Sequence, residues 1–233
     1  MQGKLIVFEG IEGCGKTTQL QRLQQWLTQL IPECRVVMTR EPGGTALGQS
    51  LRHILLAPAG KTSQALDIHP STELLLYAAD RAQHVATQLI PELKSGSIVL
   101  CDRFTDSTVA YQGFGRGLDR STIDNLNQIA TGGLQSDLTL WLDLAVEQGL
   151  ARAKGRGQAD RMERSSAVFH QRVREGFVAL AAEYPDRIVR IDASSSVDQV
   201  ACAIQAALKP YIDRWQLSAP ARRQSYRLES KST

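Results

Sequence analysis

A chain of 233 residues, 42% of them hydrophobic, is long enough to bury a substantial core as one α/β domain. Its formal net charge of +3 is concentrated from Ser218 onward, where Arg222, Arg223, Arg227 and Lys231 face Glu229 alone. Residues 1–217 are therefore near neutral, which argues against a body built to bind nucleic acid.

In chain order, Lys4 to Phe8 reads as a first strand and Lys16 to Gln29 as a helix with Leu20, Leu23, Leu27 and Leu30 on one face, ended by Pro32. Arg35 to Thr39 is a second strand, Thr45 to Leu56 a helix and Ala57 to Pro70 a loop. Thr72 to Leu93 predicts a long helix reset near Pro91, followed by a buried strand from Ser97 to Cys101. Helices are expected at Ser107–Phe114 and Ser121–Thr131, then a strand at Leu138–Leu142 and a helix at Val146–Lys154. Gly155 to Asp160 reads as a mobile loop, Arg161 to Tyr184 as a helix, Arg187 to Asp192 as the last strand and Val197 to Leu208 as the last main helix. Strands alternating with helices predict a mostly parallel sheet covered by helices, with its ligand beyond the strands' carboxyl ends. The expected organisation is a single domain over 1–217, including a lid at about 152–163, and a basic, disordered tail over 218–233.

Residues Gly10 to Thr17 read GIEGCGKT, a complete GxxxxGKT phosphate loop between the first strand and a helical pattern. A glycine-rich turn explains the glycines but not the Lys-Thr pair in this register. Loop N–H groups can surround phosphate oxygens, Lys16 can reach the β and γ phosphates, and Thr17 can place its hydroxyl on Mg²⁺. The loop's share of the ATP-binding set is therefore Gly10, Ile11, Glu12, Gly13, Cys14, Gly15, Lys16, Thr17 and Thr18, and the set is completed by Arg152 and Arg156 further along the chain.

Phosphate loops also serve GTPases and motor ATPases. No Asn-Lys pair exists to begin a guanine-reading segment, and motor ATPases tend to be larger or oligomeric. Arg40 and Arg103 follow the second and third strands, at the end where a ligand is expected. One such arginine is usually a solvated charge; two beside a phosphate loop point to an anionic acceptor, because a guanidinium fork suits phosphate oxygens.

The chain resembles the thymidylate kinases from roughly residue 3 to residue 210. The resemblance rests on the phosphate loop, TREPGGT at 39–45, ELLLYAADR at 73–81, DRFTDSTVAYQG at 102–113 and GRGQADRME at 155–163. It implies the nucleoside-monophosphate-kinase fold, transfer of the γ-phosphoryl of ATP to dTMP with Mg²⁺, and a homodimer. By resemblance, Arg40 and Arg103 serve the acceptor phosphate, with Arg52 nearby. Tyr77 takes the place of an aromatic residue that stacks on thymine, and Arg81 points to the base's polar edge; the i,i+4 spacing lets both share a helix face. Thr108, Tyr111 and Gln112 form a second set facing dTMP, although spacing alone supports only a polar helix face.

Glu12 is implied at the acceptor's 3′-hydroxyl, against a plain role capping a local N–H. Asp102 ends the apolar run Ile98–Cys101 and either organises Mg²⁺ or pairs with Arg103. The loop over 152–163 carries Arg152, Arg156 and Arg161, and the phosphate loop carries no arginine. This resembles the bacterial subgroup in which a lid arginine neutralises charge during transfer; Arg156 is the strongest assignment. Cys14 replaces the alanine or other small residue common in the loop. It introduces an oxidisable thiol, against the plainer reading of a passive small side chain.

Cys14, Cys34, Cys101 and Cys202 lack zinc-site or redox-motif spacing, which fits a reduced chain in the cytoplasm. Neither a long apolar span nor a signal-peptide pattern appears, so no membrane partner is expected. The rival readings are another nucleotide or nucleoside kinase and a nonenzymatic nucleotide-binding module.

Overall fold

The computed structural model describes residues 3–56, 68–155 and 160–217. Five parallel strands form one sheet in the order β2-β3-β1-β4-β5, with β1 Lys4–Glu9, β2 Val36–Arg40, β3 Ile98–Asp102, β4 Leu138–Asp143 and β5 Ile188–Asp192. Central strands covered on both faces should be apolar throughout, and β4 is buried along its whole length. Edge strand β2 is only half-buried and ends on the exposed Arg40.

The helices are α1 Lys16–Leu30, α2 Ala46–Leu56, α3 Pro70–His84, α4 Ile90–Lys94, α5 Thr105–Thr108, α6 Arg120–Thr131, α7 Val146–Lys154, α8 Ala167–Glu183 and α9 Val197–Arg214. Their starts follow local chemistry. Asp119 accepts a hydrogen bond from Thr122 N at 2.8 Å, and Ser196 with Gln199 closes a reciprocal cap on α9.

The structure corrects several expected bounds. The long third helix is reset at a π-helical turn over Val85–Leu89, so that Pro91 falls in the first turn of α4, where its missing N–H costs little. A second π-helical turn, Val109–Gly115, continues α5. Helix α8 begins at Ala167 and not at Arg161. The Asp160 carboxylate instead takes the N–H groups of Met162 and Glu163 in a turn, and Ser166 caps Phe169 N. Helix α9 runs past Leu208 through Pro210, because Ile204, Leu208 and Ile212 continue one buried face while Pro210 stays exposed. The loop expected at 57–70 lies mostly outside the described residues, as do residues 156–159 and the basic tail.

Parallel register places the catalytic rim. Phe8 is opposite Asp102, and Asp102 is opposite Arg40. Arg103 N donates to Phe8 O at 3.0 Å, and Glu41 N donates to Asp102 O at 2.9 Å. Three segments far apart in sequence thus leave the sheet side by side. Helix α8 lies on the second π-helical turn so closely that a Cβ on Gly176 would meet Ala110 Cα at 3.0 Å.

Candidate active site

The phosphate loop turns sharply between β1 and α1. Gly13 has φ +75°, and a Cβ there would strike Gly149 O of α7 at 2.0 Å, so neither the conformation nor the space admits a side chain. Lys16 Nζ donates to the carbonyls of Gly10 and Ile11 at 3.0 and 3.1 Å and lies 3.6 Å from Cys14 Sγ. Cys14 is buried, as a passive small residue would be.

Gly13, Gly15, Lys16, Thr17 and Thr18 line a cavity that continues past Asp102 to Arg40, Arg52, Tyr77, Thr108 and Gln112. The structure therefore brings the donor loop and the expected acceptor residues to one cleft. Arg40 has no ion pair among the described residues. Arg52 Nη1 donates to Pro42 O at 2.9 Å; burial, then the nearby Arg40 charge, pulls its pKa down.

Arg103 is the most constrained group. Its φ is +73°, an uncommon conformation for a non-glycine residue. Nη1 donates to Gly10 O and Ser107 Oγ, and Nη2 to Glu12 Oε1 at 2.8 Å and Tyr111 Oη at 2.9 Å. Burial opposes its charge, but Tyr111, Glu12, Glu9 and Asp102 outweigh that and hold it firmly protonated. Glu12 also accepts from Tyr111 Oη, so it is bound to side chains and does not cap a loop N–H. Burial raises its pKa, yet the charges of Arg103 and Lys16 bring the net shift below the ordinary carboxylate value.

The pairing of Asp102 with Arg103 does not form. Asp102 Oδ1 is buried without a hydrogen-bond partner among the described residues, while Thr17 lines the same cavity. A buried carboxylate oxygen and a hydroxyl on the wall of one cavity, with the phosphate loop, suit a hard cation that takes its other ligands from phosphate and water. No cluster of three His, Cys, Asp or Glu able to hold a metal occurs among the described residues.

The wall expected to face the acceptor is interlocked. Arg81 is buried and donates to Glu41 Oε2, Thr108 Oγ1, Asn127 Oδ1 and Phe104 O at 2.7–2.9 Å. Four of its five N–H groups are thus already engaged. His84 bridges Glu41 Oε1 at 2.9 Å and Thr39 Oγ1 at 2.7 Å. Gln112 Nε2 donates to Glu73 Oε1 at 2.8 Å, and Arg116 and Arg161 pair with the same carboxylate. Burial pushes the Tyr77 phenol upward, so it stays neutral.

The expected lid residues separate. Arg161 is tied to Glu73 and to Leu55 O at 2.8 Å, on the acceptor side. Arg152 donates to Ala193 O at 3.2 Å and does not line the cavity. Arg156 lies outside the described residues.

Several participants escape sequence reading. Glu9 accepts from Phe104 N at 2.9 Å and Ser107 N at 3.1 Å, and also from Ser107 Oγ; burial raises its carboxyl to about 7 despite Arg103. Asp80 fixes Gly43 N at 3.1 Å, and burial beside Glu41 raises it to about 6. Glu41, Met162 and Asp160 also line the cleft. Glu41, Asp80, Asp160 and Met162 all stood within the quoted motifs beside a named site residue, whereas Glu9 lay just outside the phosphate-loop motif.

A family model for thymidylate kinase matches residues 8–204. The chain belongs to the thymidylate kinase family. It is 55% identical over 213 residues to a thymidylate kinase of Nostoc punctiforme, covering 91% of this chain and 98% of that protein. It is 56% identical over 232 residues to one from Cyanothece sp., covering 92% and 97%. The crystal structure of a thymidylate kinase from Ehrlichia chaffeensis superposes with a TM-score of 0.72 at 34% identity, covering 89% of this chain and all of that one.

Proposed function

We propose a division of labour for this chain, which phosphorylates dTMP to dTDP with ATP as the donor. The observation that carries it is the single cleft shared by the phosphate loop, the strand-end arginines and Tyr77. Lys16 and the loop N–H groups of residues 10–18 hold the donor phosphates. Thr17 and Asp102 would hold Mg²⁺, which when bound offsets charge on the β and γ phosphates. Arg40, exposed at the end of β2, and Arg103, half-buried in its hydrogen-bond net, receive the acceptor phosphate together with Arg52. Arg156 supplies further positive charge from the lid.

Tyr77 stacks on the base. Arg81 meets the base edge through its one remaining N–H and holds Thr108 in place; Gln112 offers its carbonyl oxygen from the other side. Glu12 and Tyr111 border the sugar. The acceptor phosphate oxygen is already a nucleophile, so alignment and charge stabilisation suffice without a dedicated base.

The homodimer expected from the resemblance would use the apolar positions that α2, α3 and α6 leave exposed: Leu47, Ile54, Leu75 and Ile129. No described helix is long and apolar enough to cross a membrane, and all four cysteines are free thiols, which fits the cytoplasm. The test is an acceptor panel of dTMP, dUMP, dCMP, dGMP and thymidine with ATP and Mg²⁺. ADP formation should be fastest with dTMP. Preference for thymidine, or ATP binding with no acceptor-dependent turnover, would overturn the reading.

A further inference from the structure

His170 lies in the first turn of α8, fully buried, and neither ring nitrogen has a hydrogen-bond partner among the described residues. Two unpaired buried nitrogens are costly, so a fold that keeps them there needs a use for them. The ring packs edge-to-face on Phe169 at 5.4 Å, and its Nδ1 stands 3.5 Å from Glu12 Oε2, just beyond bonding distance. The charged and titratable groups around that carboxylate are Arg103, Lys16, Tyr111 and His170; Arg116 lies over the Phe169 ring.

Glu12 rests mainly on Arg103 Nη2 and Tyr111 Oη. Both terminal nitrogens of Arg103 already have protein partners. To grip a phosphate, Arg103 must turn some of those donors away, and Glu12 then loses its strongest partner in a buried setting. We infer that His170 is the second partner of Glu12, a positioning residue that takes up the carboxylate when Arg103 engages the acceptor phosphate. The exchange needs only a sub-ångström approach of Glu12 to the imidazole. It links α8, directly after the lid, to the phosphate loop. It rests on the assignment of Arg103 to the dTMP phosphate.

An imidazole nitrogen that gains a carboxylate partner changes its chemical shift. Nitrogen-15 NMR of the histidine side chains should therefore show the His170 resonances moving when dTMP is added, as a new hydrogen bond to Glu12 forms. His170→Phe should weaken dTMP binding about tenfold by calorimetry. In a Glu12→Gln background, where no charge needs a new partner, the same substitution should change affinity less than about twofold. His170 nitrogens indifferent to saturating dTMP would overturn the inference, and so would equal losses in both backgrounds. The NMR measurement uses the parent chain and stands even if a variant fails to fold. Undiminished dTMP affinity in Arg103→Lys would instead sink the underlying assignment.

Discussion

The two halves of the cleft are built from different materials. On the donor side, backbone does the work: Lys16 is placed by the carbonyls of Gly10 and Ile11, within six residues of itself. On the acceptor side, side chains do it: Arg81 joins Glu41, Thr108 and Asn127, which are 40, 27 and 46 residues away. A loop of backbone groups can lose one side chain and keep its shape. A buried net of charges cannot, because each removal strands its neighbours.

Arg81→Ala should break this contrast most severely. It leaves Glu41 Oε2, Thr108 and Asn127 without their donor, and should cost about 3–5 kcal/mol of stability. Urea unfolding measures it, and a loss below about 1 kcal/mol would show that the net tolerates gaps. Lys16→Ala should do the reverse, lowering kcat about 10²–10³-fold while the unfolding midpoint barely moves. An equal loss of stability would place Lys16 in the scaffold.

This contrast also explains what the sequence disclosed. The phosphate loop is legible because eight adjacent residues carry its whole geometry. The parallel, helix-covered sheet and the α7 bounds follow from alternation and apolar runs, and α7 was expected as it is found, at Val146–Lys154. The buried net is illegible because Glu41, Asn127 and Glu9 acquire partners only through sheet register and helix packing. The family motifs pointed to Arg81 as a base-reading residue, while its buried position makes it an anchor as well. The start of α8 was missed because Asp160 and Ser166 compete with the helix for backbone N–H groups.

A finer test concerns the seam between the halves. Glu9 ends β1 and holds the turn after β3. Its carboxyl is raised from 4.5 to about 7, so between those values the folded chain binds a proton that the unfolded chain releases. Stability should therefore fall as pH rises through this window, by up to about 3 kcal/mol from Glu9. Glu9→Gln can keep its oxygen on Phe104 N and Ser107 N and present its amide to Ser107 Oγ. It should flatten much of that slope in pH-dependent melting, leaving the smaller contribution of Asp80, raised to about 6. An unchanged slope would remove Glu9 from the seam.

The smallest effect separates ring from hydroxyl at Tyr77. Tyr77→Ala should weaken dTMP binding by about 1–3 kcal/mol through lost stacking, whereas Tyr77→Phe should cost about 0.5 kcal/mol or less. Comparable losses by calorimetry would assign the contact to the hydroxyl.

The close seating of α8 on the π-helical turn has a consequence in time as well as in space. With Gly176 against Ala110 and Phe169 against Gly115, neither element can loosen while the other stays packed. Their amides should then exchange with solvent as one cooperative unit, with matching protection along Val109–Gly115 and Phe169–Phe177. A nucleotide that orders Tyr111 and Gln112 would slow exchange along α8 too, well beyond its own contacts. The acceptor wall and the helix behind the lid would open and close on a common clock.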